Sequence, residues 1–419
     1  MAQENKPVRL ALISGYLGAG KTTLLNRMLS NVEGMRIAVI VNDIGEVNVD
    51  AELIARTGAV AEVAEDVIPM TNGCICCSLS EDLENQIRDL STSGDYDYIV
   101  IEASGVCEPM PIAYTLAGLC EPDENGNSSL VIDNIISVVD CARMFDEFNG
   151  GQDLVEDDMD EADLAFLIVS QIEFCTTLVL NKADTVTPEQ MKELRAIVCS
   201  LQKNAKVIEA VRGDIPLDQL LNTGLYDFDT AFDSATWVDA MDHPEKYDER
   251  AAGHDHNHHD HEHHDHDHDH EHEDHSHCDH EHGVCCCGHD HAEGHDHVAE
   301  FGITTFVYER RRPLSMENLR KLVNDWPDSV IRCKGMMWLT DDPDNCYVFE
   351  QAGKQFFVDP NGHWIASADA EERKWIEESN MHALDDWDDE IGDRRIKLVF
   401  IGRDMDRDAI EAQVDALLL

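Results

Sequence analysis

The sequence of 419 residues predicts an α/β fold, a mostly parallel sheet wrapped by helices, followed by a smaller C-terminal α+β domain. Three observations carry this prediction. Apolar strand-like runs alternate with helical patterns from residue 8 to about residue 228. A glycine-rich loop follows the first run and opens a helix. Ordinary folded composition returns after residue 300, beyond a tract too polar to build a core.

In chain order, the strands of the first part are read at Arg9–Ser14, Arg36–Val41, Tyr98–Ile101, Asn134–Val139 and Thr177–Leu180. Leu83, Ile87 and Leu90 form the apolar stripe of a helix, and Ser78 to Glu81 reads as the capping box that opens it. In the last part, Gly302–Tyr308, Gln355–Val358 and Lys397–Ile401 read as strands, and Ser315–Val323 and Asp408–Leu418 as helices. The expected organisation is a nucleotide domain over residues 1–228, a linker with a metal-binding tract over 229–300, and the α+β domain over 301–419.

Charge narrows the partners. Lysine and arginine total 31 against 86 acidic residues, and a formal charge of −55 repels nucleic acid and anionic membrane alike. The run Leu10–Ile13 is too short for a signal-peptide core or a membrane span, so a cytoplasmic protein is expected. Fourteen cysteines in a reducing compartment, seven of them in two tight clusters, point to metal rather than to disulfides.

Gly15-Tyr16-Leu17-Gly18-Ala19-Gly20-Lys21-Thr22 fits G-x-x-x-x-G-K-[ST] and runs into the helical pattern that begins Thr23-Leu24-Leu25. Such a loop wraps phosphates with its backbone N–H groups, Lys21 adds a mobile cation, and the Thr22 hydroxyl can ligate Mg²⁺. Glu102 ends an apolar strand, as an acid beside Mg²⁺ or its waters would. Asn181-Lys182-Ala183-Asp184 gives N-K-x-D after another strand, where the Asp184 carboxylate can accept from the ring N–H and amine of guanine. The nucleotide expected is therefore GTP. Cys74, Cys76 and Cys77, three thiols within four residues, can converge on one soft or borderline cation and leave a fourth position open.

GYLGAGKTTLLN, the N-D-x-G-E stretch Asn42–Glu46, NGCICCSL, IEASG and QIEFCTTLVLNKAD follow in an order that resembles the CobW-type metal-chaperone GTPases. Arg311–Leu314 and Arg332–Trp338 resemble that family's second domain. The resemblance implies a P-loop GTPase related to nickel-inserting GTPases, with Cys74, Cys76 and Cys77 as ligands of zinc or cobalt. Lys21 and Thr22 become phosphate and Mg²⁺ contacts, with Glu102 beside them in the hydrolytic site. Gly15, Gly18, Ala19, Gly20 and Thr23 complete the nucleotide loop, and Asn181, Lys182 and Asp184 the guanine site. Asp43 stands where the family's segment carries glutamate, one methylene longer. Glu46 is the candidate fourth metal ligand.

Between His254 and His297 lie 19 of the 22 histidines, 14 acidic residues and Cys278, Cys285, Cys286 and Cys287, with no lysine or arginine. Neutral imidazoles there suit rapidly exchanging Zn²⁺, Co²⁺ or Ni²⁺, as a multi-ion buffer would. The expectation is a GTP-hydrolysing metallochaperone, for zinc first and for cobalt or nickel as alternatives, delivering to an apo-metalloprotein client. A nucleotide-gated metal store or sensor is the rival of a different class, and a homo-oligomer is compatible with the sequence.

Overall fold

The alternation of the first half becomes an all-parallel sheet in the computed structural model, which describes residues 7–30, 35–41, 67–69, 81–122, 128–148, 159–227, 235–247, 301–353, 355–379, 384 and 387–419. Its strands are β1 (Val8–Ser14), β2 (Ile37–Val41), β3 (Val67–Pro69), β4 (Tyr98–Glu102), β5 (Leu130–Asp140), β6 (Thr177–Asn181) and β7 (Lys206–Glu209). They lie in the order β3-β2-β4-β1-β5-β6-β7. The intervening helices are α1 (Lys21–Ser30), α2 (Glu81–Ser93), α3 (Pro109–Leu119), α4 (Cys141–Phe148), α5 (Met159–Glu173) and α6 (Pro188–Leu201).

Period-two alternation divides the core between the two faces of this sheet. Leu10 and Leu12 of β1 pack with α2, α3, α5 and α6, whereas Ala11 and Ile13 pack with Leu24, Leu25 and Met28 of α1. Leu83, Ile87 and Leu90 are buried on α2, as their spacing predicts.

The fifth strand is longer than the sequence reading, and the reason is a bulge. Leu10 pairs with Ile132 and Ala11 with Asn134, so Asp133 is an extra residue. Its buried carboxylate accepts from Arg9 Nη1 and Tyr98 Oη at 2.6 Å, and from the backbone N–H groups of Gly224 (2.8 Å) and Thr223 (3.0 Å). A polar residue inside an apolar strand is thus fully partnered.

The last part forms an antiparallel sheet from β8 (Ile303–Arg310), β9 (Val330–Trp338), β10 (Asn345–Ala352), β11 (Gln355–His363) and β12 (Ile396–Arg403), in the order β11-β10-β9-β12-β8. One further helix follows the first sheet in the chain: α7 (Thr236–Asp242). The remaining helices are α8 (Met316–Asn324), α9 (Ala370–Ser379) and α10 (Arg407–Asp415). Ser315 and Asp406 cap α8 and α10 through the N–H groups of Asn318 and Ala409. Leu398 and Phe400 of β12 face α8 and α10, while Val399 and Ile401 join the core beneath the first sheet. One apolar core therefore runs through both sheets.

Residues 235–247, assigned to the linker by sequence, are built into this junction. Ala240 of α7 is fully buried, and Asp239 binds Lys203 and accepts from Tyr247 Oη at 2.7 Å. Among the described residues no helix is long and apolar enough to cross a membrane.

Candidate functional site

The first sheet changes connection direction at β1, which lies between β4 and β5, and ligands of such sheets bind where strand carboxyl ends meet at that point. The loop after β1, Glu102 at the end of β4, Asp140 at the end of β5 and Asn181 at the end of β6 all lie along this edge.

The loop can turn only because it is glycine. Gly15 and Gly20 have φ of +139° and +108°. A Cβ on Gly15 would fall 2.3 Å from the Val138 carbonyl oxygen, and one on Gly20 the same distance from Asn181 Nδ2. Gly18, also at positive φ, has nothing within 4 Å of where its Cβ would be, so the loop's crest faces open space. Lys21 Nζ lies within the loop, donating to the carbonyls of Gly15 (2.7 Å) and Tyr16 (3.4 Å). Thr22 Oγ1 donates to Glu102 Oε1 at 3.2 Å, across 80 residues of sequence. A hydroxyl and a buried carboxylate side by side are the oxygen donors that Mg²⁺ takes, so the residues present fit that ion.

Asn181 is a brace. Its Nδ2 donates to the Ala19 carbonyl at 2.8 Å, and its Oδ1 accepts from Gly213 N–H at 3.0 Å, which ties the phosphate loop to the turn after β7. Asp184, in contrast, sits exposed on a short 3₁₀ turn over Ala183–Thr185. Lys182 has left-handed φ of 58°, and its Nζ donates to Asp140 Oδ2 at 2.6 Å. The Arg143 guanidinium stacks 4.4 Å from the Tyr16 ring, and both residues line a recess beside the loop with Leu17, Ala19, Asp140 and Gln171. Asp140, Arg143 and Gln171 escaped the motif reading. Asp140 carried a signal, since it ends an apolar strand in an acid just as Glu102 does; the other two converge only in three dimensions.

Glu46, Cys74, Cys76, Cys77, the stretch Asn42–Glu46 and the tract His254–His297 lie outside the described residues. Among the described residues no group of three or more histidine, cysteine or acidic side chains is arranged to hold a metal. The cysteines that are described are mostly core: burial pushes the thiols of Cys120 and Cys346 up to about 11 and that of Cys141 up to about 12. A thiol so protonated at neutral pH is a poor metal ligand.

Residues 9–209 match the family described as CobW/HypB/UreG, nucleotide-binding domain, and residues 303–418 match the cobalamin synthesis protein cobW C-terminal domain. The zinc-regulated GTPase metalloprotein activator 1 of Dictyostelium discoideum is 31% identical over 433 aligned positions, covering 99% of this chain and 80% of that protein. The chain belongs to the CobW/HypB/UreG family. A second member of the family, the zinc chaperone CobW of a Sinorhizobium species, is 34% identical over 256 positions, 59% of this chain and 69% of that protein. The crystal structure of the Zn(II)-bound YjiA GTPase from E. coli aligns over 98% of this chain and 99% of its own, at 19% identity and a TM-score of 0.39. For this CobW/HypB/UreG chain, the matched segments contain both sheets and leave out the histidine tract.

Proposed function

We propose that the protein is a GTPase that hydrolyses GTP to GDP and phosphate and uses the cycle to carry zinc to an apo-metalloprotein client. The observation that carries the nucleotide half is the meeting of Lys21, Thr22 and Glu102 at one sheet edge, in a chain of the CobW/HypB/UreG family. Lys21 neutralises phosphate oxygens, and the N–H groups from Gly18 to Thr23 cradle them. Thr22 Oγ1 and Glu102 would hold Mg²⁺, which would supply positive charge to offset that of the phosphates. Asp184, exposed at the strand end, accepts from guanine, while Asn181 keeps the loop in shape and Lys182 is held by Asp140.

The cargo half rests on Cys74, Cys76 and Cys77 as zinc ligands with Glu46 as the fourth, and it is supported by the zinc-related names of the family's relatives. The dense histidines of His254–His297 favour one second reading, a metal store or sensor with cobalt or nickel among its ions. A cytoplasmic setting suits free thiolates in either case.

Guanine selectivity tests the nucleotide half. Calorimetry should give GTP binding at least tenfold tighter than ATP, and Asp184→Ala should remove about 1–3 kcal/mol of GTP binding alone, the usual cost of stranding hydrogen-bond partners. Equal affinity for the two nucleotides in the unmutated chain would refute the reading.

A further inference from the structure

The last turn of α5 touches both the nucleotide site and the second sheet. Gln171, 1% exposed, donates from Nε2 to the Cys107 carbonyl at 3.1 Å, within the loop that leads from Glu102 to α3. The same side chain lines the recess behind Tyr16, Leu17 and Ala19 of the phosphate loop. Two residues on, Glu173 accepts from Arg332 Nε at 2.8 Å and Nη2 at 2.9 Å, a bidentate pair between α5 and β9.

Arg332 is 1% exposed, and burial alone would favour its neutral form, but Glu173 and Glu350 keep it charged. Its Nη2 also donates to Glu350 Oε2 at 3.1 Å, and Lys334 Nζ reaches Glu350 Oε1 at 2.9 Å. Burial, and then the negative charge of Glu350, push the carboxyl of Glu108, next to Cys107, above its usual range. The loop after Glu102 is therefore held by Gln171 on α5, two residues before the Glu173 that pairs with Arg332 of β9. Buried ion clusters are weak contributors to stability but demanding in geometry, so a shift of the loop is felt by Arg332 and the reverse.

We propose that Arg332, acting through Glu173 and Gln171, is a positioning residue for the loop that follows Glu102, so that the second sheet sets the rate of GTP hydrolysis. This rests on the GTPase reading above. Gln171 fixes the Cys107 carbonyl, the loop fixes the direction in which Glu102 leaves β4, and Glu102 meets Thr22. The second sheet thereby acts on turnover without touching nucleotide.

Turnover and nucleotide affinity are measured on the full chain and on Gln171→Leu, which deletes the bond to Cys107 and leaves the Arg332 pair intact, and on Arg332→Lys, which keeps the charge but loses the fork. Gln171→Leu should lower kcat about 3–30-fold with KM and GTP affinity within about twofold, and Arg332→Lys should fall between it and the unmutated chain. The second measurement needs no variant: hydrogen exchange of the unmutated chain, in which residues 330–338 should change protection between GDP and a non-hydrolysable GTP analogue. Unchanged kcat in both variants, or nucleotide-independent exchange at 330–338, overturns the inference while leaving the GTPase reading intact. Failure of the unmutated chain to bind or hydrolyse GTP overturns both together.

Discussion

Asn181 and Asp184 are three residues apart in one motif, and the geometry gives them different tasks. Asn181 spends both ends of its amide on backbone groups, Ala19 and Gly213, whereas Asp184 projects from an exposed turn. Asn181→Ala strands a buried carbonyl and a buried N–H, at a cost of about 1–3 kcal/mol. It should lower the melting temperature and weaken GTP and GDP to the same degree, since what it loosens is the phosphate loop. Asp184→Ala should leave the melting temperature within about a degree, because surface changes stay within about 0.5 kcal/mol, and it should weaken only guanine nucleotides. Paired thermal melts and titrations separate the two, and an unchanged melting temperature in Asn181→Ala would contradict the bracing role. The sequence made the motif legible because its residues are contiguous. It could not reveal the division of labour, which depends on Gly213 and Ala19 arriving from distant segments.

At the scale of elements, α7 is pinned by Asp239. Burial alone would raise that carboxyl, but hydrogen bonds from Lys203, Tyr247 and Lys246 overcome it and hold the carboxyl at about 2. A carboxyl depressed on folding stabilises above its unfolded pKa and loses that contribution as pH falls through the folded value. The contribution, on the order of 2 kcal/mol, should be full above about pH 4 and lost towards about pH 2. Melting curves of the unmutated chain and Asp239→Asn should therefore differ at pH 7 and converge near pH 2, and a constant difference would count against the ion cluster. The strands of the first sheet read directly from sequence were those built around an unbroken apolar run, such as β1, β4 and β6. Those missed carry polar residues inside: β9 contains Arg332 and Lys334, whose partners Glu173 and Glu350 are remote in sequence, and β5 was cut short at the bulge made by Asp133. The edge strands β3 and β7 are three and four residues long, too short for periodicity to register. Tertiary partners, not local pattern, decide such segments.

Over the described residues, the two sheets share one apolar cluster and are locked by a buried ion cluster. The charge of −55 suits a protein that must draw cations and repel polyanions. What separates a carrier from a store is coupling. If GTP and zinc favour one conformation, each must raise the other's affinity by the same factor, about 5–150-fold for a coupling of 1–3 kcal/mol. The measurement is zinc affinity of the chain lacking residues 254–297, so that imidazoles do not mask the thiolate site, taken by competition with a chelating dye in three states: with a non-hydrolysable GTP analogue, with GDP, and without nucleotide. Nucleotide-driven delivery requires tightest binding with the analogue and at least about fivefold weaker binding with GDP, whereas identical affinities in all three states would contradict it.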